Sequence, residues 1–176
     1  MIGTLETVPA LTRPDLLAAP VVDALRALPA SDEVLVAPID PDLADTATFC
    51  EAYGVRLDQS ANCVVVSGKR EGEVRFAGCL VFATTRADVN GAVRRYLDVR
   101  KASFAPMDVA VAETNMEYGG ITPIGLPKGW PLLIDAQVAA APYVIVGSGV
   151  RRSKLALPGR VLASVPGAEV VDNLGR

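Results

Sequence analysis

The sequence predicts an α/β chain of the α+β type: a mixed, largely antiparallel β-sheet or partial barrel surrounded by helices. Short apolar runs rich in Val and Ile intermix with helical patterns, without regular strand–helix–strand alternation. Two of these runs, 62–66 and 74–83, are separated only by a polar loop carrying Gly68 and Gly72, which marks a hairpin. With 176 residues, 51% of them hydrophobic and 21% charged, the chain suits one domain. It has no repeat, low-complexity tract or linker to divide it. The expected organisation is a single domain over 1–176, with 1–15 as an N-terminal arm and 16–176 as the functional body.

The elements follow in order. Thr12-Arg13-Pro14-Asp15 predicts a helix start, with Thr12 as N-cap and an early proline. The helical pattern runs through Leu16, Leu17, Val21, Val22, Leu25 and Leu28, with a second start at Pro20, and Pro29 ends it. Residues 33–39 read as a short strand closed by Asp40-Pro41-Asp42. A helix over 43–53 stops at Gly54. After the hairpin, whose loop is read as 67–73, Thr84 to Asp88 starts a helix through Val89, Val93 and Leu97, capped by Thr85. An extended piece at 101–105 leads to a helix at 106–115. Then come a strand at 132–135, a helical turn at 136–141, a buried strand at 143–146, a strand at 154–157, a helix at 158–165 and a closing strand at Val170-Val171.

Composition narrows the chemistry. The chain has no histidine, which removes Ser-His-Asp and Cys-His catalysis, His-based zinc hydrolysis and any histidine proton shuttle. Cys50, Cys63 and Cys79 are odd in number and far apart, as expected of free thiols in a reducing cytosol. No cofactor and no metal site is expected. The start of the chain lacks a basic region followed by an apolar one, and no long apolar run occurs, so neither a secretory signal nor a membrane span is expected, and a cytoplasmic location is. A net charge of −3 gives no bulk attraction for nucleic acid. The cations are clustered, however, in Arg94, Arg95, Arg100 and Lys101 and again in Arg151, Arg152 and Lys154. Each cluster reads either as a solvated face or as a local rim for phosphate.

One stretch draws the site prediction: Glu117-Tyr118-Gly119-Gly120-Ile121-Thr122-Pro123-Ile124-Gly125-Leu126-Pro127. Paired glycines let another molecule approach the backbone, and a proline three residues on removes one amide and stiffens the loop. Such a loop either presents amides to a carbonyl or phosphate oxygen or serves as a tight turn between buried strands. Two nearby patterns fail their own tests. Gly147-Ser148-Gly149 follows a strand, but Arg152 stands where a dinucleotide fingerprint needs its third glycine. Gly125-Leu126-Pro127-Lys128-Gly129 lacks the Gly-Lys-Ser/Thr ending of a phosphate loop.

In their order along the chain, several segments resemble the YbaK-like family, the editing domain also inserted in bacterial prolyl-tRNA synthetases. Thr46 to Val55 is similar to the family helix that ends in Leu-Gly-Val, and 98–105 to its Lys-x-Ser-Phe-Ala strand. Gly119 to Gly125 resembles the Gly-Gly-Val-Ser-Pro-Phe-Gly loop, the most specific part. Ile134-Asp135 and Val146 to Gly149 resemble two strand ends. The likeness runs from about residue 16 to the C-terminus.

The resemblance implies a trans-acting deacylase that hydrolyses the ester of mischarged tRNA, taking the 3′ end of aminoacyl-tRNA and working beside a synthetase, without metal or membrane. Gly119, Gly120 and Asn62 are implied as catalytic positions. Thr122, Pro123, Asp135, Ser148 and Lys101 are implied as substrate contacts. Asp135 also reads as a cap for the turn after it, Ser148 as a plain turn residue, and Trp130 as a water shield for the loop. The sequence departs from the family at Asn62, where the pattern Ile-Val-Lys-Ser-Leu-Val has its lysine. Asparagine brings no charge to an oxyanion, and Lys101 is the nearby candidate to replace it. The departure leaves two alternatives: a non-catalytic binder of tRNA or aminoacyl-adenosine, or a hydrolase of another small ester.

Overall fold

The computed structural model describes residues 2–176; Met1, which opens the N-terminal stretch read above, lies outside them. Two sheets carry the strands. The first is fully antiparallel, in the order β1 (Val8–Pro9), β2 (Leu35–Pro38), β8 (Ser153–Leu157), β7 (Val144–Gly147). The second runs β5 (Ala102–Phe104), β3 (Ala61–Arg70), β4 (Glu73–Phe82), β6 (Leu132–Asp135), β9 (Ala168–Val171). Its β5–β3 and β3–β4 pairs are antiparallel and its β4–β6 and β6–β9 pairs parallel. A lone parallel bridge between Ser60 and Ile145 ties the start of β3 to β7 at a corner between the sheets. The mixed, largely antiparallel expectation holds. The division into two sheets was not foreseen, because the strands that join each sheet lie far apart in sequence.

Side-chain alternation along β8 sets the layers. Leu155 and Leu157 enter the main core with Val21 and Leu25 of α1 (Ala19–Ala27) and with Leu80, Leu132 and Ile134 of the second sheet. Ala156 faces the other way, onto Phe49 and Cys50 of α2 (Thr46–Tyr53). The far side of the second sheet buries Val66, Ala77, Cys79 and Val81 against Val93, Leu97 and Val99. Residues 2–15, expected as an arm, add strand β1 and the buried Leu5 and Ala10 to these layers.

Three local expectations need correction. The hairpin loop at 67–73 shrinks to Glu71-Gly72, both at positive φ (51° and 83°). That two-residue turn matches the strand twist, so both strands run on for ten residues. Thr12 does not cap the first helix: its Oγ1 donates to Pro9 O at 2.6 Å. Pro14 and Pro20 split the pattern into two 3₁₀ turns and α1, each proline sitting near the start of a new segment. Thr85 likewise donates to Phe82 O, and Asp88 does the capping by accepting from Ala92 N at 3.0 Å. The segment it caps, 89–93, is π-wound before α3 (Arg94–Leu97).

Two contacts hold the loops that matter below. Gly149 N donates to Gly120 O at 2.7 Å, and Glu117 N donates to Gly149 O at 2.8 Å. This pins the double-glycine loop to the end of β7. The fit is backbone against backbone. A Cβ on Gly120 would lie 2.8 Å from the Val150 carbonyl, and one on Gly147 2.5 Å from Gly120 O. Asp135, buried at the end of β6, accepts from Gln137 N at 2.8 Å and from Gly175 N at 2.7 Å, so one carboxylate caps α5 (Ala136–Ala139) and anchors the C-terminus.

Gly120→Ala is therefore expected to destabilise the chain by about 2 kcal/mol or more, since rigid main chain has to shift. Asp135→Ala is expected to cost about 1–3 kcal/mol by leaving two part-buried donors unpaired, without weakening the binding of any ligand. Urea melts of both variants, and a ligand titration of the second, check these outcomes.

Candidate functional site

A cavity of about 540 Å³ opens where β3, the end of β7, α4 (Met107–Thr114) and the double-glycine loop meet. Its lining has two characters. Cys63, Val65, Phe104, Met107, Ala110 and Ile121 give an apolar wall. Asp45, Thr46, Asn62 and Lys154, with the glycine backbone at 119 and 147, give a polar one. Phe104, Met107 and Tyr118 are all more than half exposed although they border the cavity, so its mouth carries an apolar, aromatic rim.

The polar wall is organised by three consecutive residues before and at the start of α2. Ala44 O accepts from Lys154 Nζ at 3.0 Å. Asp45 Oδ1 lies 3.5 Å from Arg151 Nη1. Thr46 Oγ1 donates to Asn62 Oδ1 at 2.7 Å, which leaves the Asn62 amide nitrogen as the free end of that side chain. Arg151 also reaches Tyr118 O (3.4 Å) and Pro41 O (3.1 Å), while its own backbone N donates to Glu117 Oε1 at 2.8 Å. It thus straps the double-glycine loop to the 41–45 turn along one lip. The guanidinium lies over Gly119, where a Cβ would come within 2.2 Å of it. Gly119 also needs φ +83°, a region that costs other residues about 1–2 kcal/mol.

Lys154 is the one buried cation among the described residues. Strand alternation places it on the Ala156 side of β8, in the layer under α2, with Nζ 5.1 Å from the centre of the Phe49 ring. Burial pushes its ammonium from 10.5 down to about 8; Cys50 and Asp45 draw it back up and Arg151 presses it down. Cys63 borders the cavity too, but burial drives its thiol strongly upward, so it stays protonated and is no nucleophile at neutral pH.

Of the residues singled out from sequence, Asn62 and Gly119 border the cavity. Gly120, Thr122, Pro123, Asp135, Ser148 and Lys101 do not. Gly120 stands behind the wall, with its N–H spent on Glu117 O at 3.0 Å; Gly119 N–H has no partner among the described residues. The expected pair of free amides is thus reduced to one. Thr122 is fully buried, its hydroxyl without a partner among the described residues. Ser148 is buried against the carbonyls of Val150 and Ser153 (3.1 Å each) and the Ser153 hydroxyl (2.6 Å), which makes it a loop fastener. Asp135 is committed to its two caps. Lys101 is exposed just before β5 and does not supply charge to the cavity. Pro123 and Trp130 border a second groove of about 970 Å³ on the α1 side, where Trp130 stacks on Phe76 with ring centres 4.7 Å apart.

Sequence reasoning named Lys154 only within a cationic cluster, as a solvated face or a phosphate rim, and did not single out Asp45 or Thr46 for the site. A signal existed for the first. A strand reading Lys154-Leu155-Ala156-Leu157 that is buried on both faces has to bury its lysine as well.

The aminoacyl-tRNA editing domain is the family whose model matches this chain, over residues 40–165. The fold recurs in solved structures. A candidate trans-editing enzyme for prolyl tRNA synthetase superposes with a TM-score of 0.73 at 22% identity, covering 88% of this chain and 94% of that one. A hypothetical protein reaches 0.77 at 17% identity, over 89% and 99%. A scaffold from epitope-grafting design reaches 0.74 at 22%, over 88% and 95%. At these identities the likeness speaks for the fold, while the match over 40–165 speaks for descent: the chain belongs to the aminoacyl-tRNA editing domain family.

Proposed function

We propose that the chain is a trans-acting deacylase that hydrolyses the ester of a mischarged aminoacyl-tRNA, releasing the amino acid and leaving the tRNA 3′ end free. The observation that carries this reading is the two-sided cavity, apolar on one wall and polar on the other, in a chain of the editing family. An aminoacyl ester is already activated, so a positioned water and donors at the developing oxyanion suffice, and no histidine is required. The apolar wall of Cys63, Val65, Met107 and Ala110 would hold the amino-acid side chain. Asn62 Nδ2 and the Gly119 N–H would orient the ester. Phe104 and Tyr118, with exposed rings at the mouth, offer stacking faces to the terminal adenine.

No helix of the described residues is long and apolar enough to cross a membrane. The proposed setting is the cytoplasm, beside the synthetase whose errors the chain would correct, with residues 16–176 as the editing unit. A second reading has one observation in its favour. The residue at the family's lysine position is neutral and half-committed to Thr46, as in a binder of aminoacyl-tRNA that does not turn it over.

Mischarged tRNAs carrying each of a panel of amino acids separate the two. The deacylase reading expects release from at least one, fastest for a small or medium apolar residue, and a roughly tenfold or greater loss in Asn62→Ala. Binding with no release above the spontaneous rate on every tRNA would leave the binder. A second check concerns the rim: Tyr118→Ala is expected to raise KM severalfold for whole aminoacyl-tRNA while leaving kcat nearly unchanged.

A further inference from the structure

We propose that Lys154 is the catalytic cation of this cavity, its ammonium donating to the acyl carbonyl oxygen of the bound ester and holding the negative charge that forms there. The inference rests on the deacylase reading and adds to it a residue on β8, outside every segment that carried the family resemblance.

Four observations lead to it. The lysine is only 9% exposed, yet it borders the cavity. Its single hydrogen bond is to Ala44 O, and no carboxylate among the described residues lies within ion-pair distance of it. An ammonium has three donors, and here one is used; a buried charge so poorly matched is costly unless a ligand completes it. No other cation among the described residues borders the cavity: Asn62 is neutral, and the Arg151 guanidinium is taken up by Tyr118 O, Pro41 O and Asp45. Finally, the layer that holds it is made of Ala37, Ala156, Phe49 and Ile145, where an apolar side chain would pack without desolvating a charge. The fold has no need of a lysine there.

The chemistry balances without a further reactant. A water oxygen bonds to the acyl carbon, and the carbonyl electron pair moves onto the oxygen facing Lys154. When that pair returns, the bond to the ribose oxygen breaks. The proton given up by the water ends on the ribose oxygen. Lys154 keeps its own proton throughout. The titratable groups that face it are Asp45 in the turn before α2, Cys50 on α2, whose thiol burial pushes upward, and Arg151 in the turn before β8. Its strand neighbours Ala37 and Gly147 and the adjoining Asn62 do not titrate.

The test is single-turnover hydrolysis of a mischarged tRNA that the wild type accepts, compared in Lys154→Met, Lys154→Gln and the double variant Lys154→Met/Asn62→Lys, between pH 6.5 and 9.5. Lys154→Met is expected to lower the rate about 10²–10³-fold with little change in affinity. Only the charged lysine acts, so wild-type activity above the spontaneous rate falls as pH rises through about 8. The substrate's own amine titrates alike in every variant, so the difference between wild type and Lys154→Met isolates the lysine. Asn62→Lys in the Met background is expected to restore part of the rate, because it returns a charge to the same cavity. Should Lys154→Met fail to fold, Lys154→Gln, which keeps a neutral donor, reads the charge alone. Wild-type turnover with Lys154→Met and Lys154→Gln within about threefold of it, and the same pH profile, overturns the proposal. So does a loss confined to amino acids with acidic side chains, which would make Lys154 a reader of the side chain. A wild type that releases nothing from any tRNA overturns the deacylase reading first, before any variant is made.

Discussion

The site depends on a contact that contains no side chains. A Cβ on Gly147 would strike Gly120 O and one on Gly120 would strike the Val150 backbone, and the Gly149 N–Gly120 O and Glu117 N–Gly149 O hydrogen bonds lock the two segments together. The double-glycine loop is thereby made a continuation of β7. One consequence is spatial: Gly119, the next residue outward, is held at the cavity edge at a positive φ with its N–H unspent. Another is energetic. A loop of this length ordered only by ligand would subtract its ordering entropy from binding, at about 1–2 kcal/mol per residue. Pinned in advance, it does not.

Opposite this contact, Ala44, Asp45 and Thr46 act as a second organiser. Each of the three engages a different side chain: Lys154 by a carbonyl, Arg151 by a carboxylate and Asn62 by a hydroxyl. Two strands and a loop are thus coordinated from one short turn. The arrangement also separates the charges by environment. Arg151 and Asp45 face each other at a partly exposed lip, where solvent weakens their pull to a fraction of a kcal/mol. Lys154 sits in the dry layer beneath, where the same unit of charge acts on a ligand with far less screening.

Much of this was legible in the sequence, and what was not has physical causes. The hairpin, α2 with its Gly54 stop, β5, α4 and the presence of a glycine loop follow from local periodicity and turn chemistry, whereas the pinning of that loop by Gly149 does not. The length of β3 and β4 does not, because residues 67–70 form a strand end, exposed at 69–70, whose polar and glycine composition imitates a loop. The caps were misassigned to Thr12 and Thr85 for a related reason. Each threonine found a carbonyl three residues back, a competing local bond that no pattern distinguishes from a cap. At the site, Asn62 and Gly119 could be placed by motif. Ser148 and Asp135 drew attention as polar residues in conspicuous positions, yet their atoms are consumed by the fold. Lys154 was hidden by company, standing after two arginines that make the stretch look like a solvated cationic face.

The neutral residue at 62 and the buried lysine at 154 become intelligible together once the requirement is expressed in space. On the proposed deacylase reading, an ester in this cavity needs a donor with charge near its carbonyl oxygen, and the oxygen is indifferent to which strand supplies it. β3 and β8 belong to different sheets, but the Ser60–Ile145 bridge brings those sheets to a corner, and side chains from both reach the space beside the 44–46 turn. A lysine from β3 would enter near the open edge of the sheet. One from β8 enters from beneath α2, across the face of Phe49, and arrives already desolvated. The second route costs the fold more, since burial disfavours the charged form. It also leaves the ammonium with fewer waters to shed when substrate binds, so more of its electrostatic attraction is available at the moment the oxyanion forms.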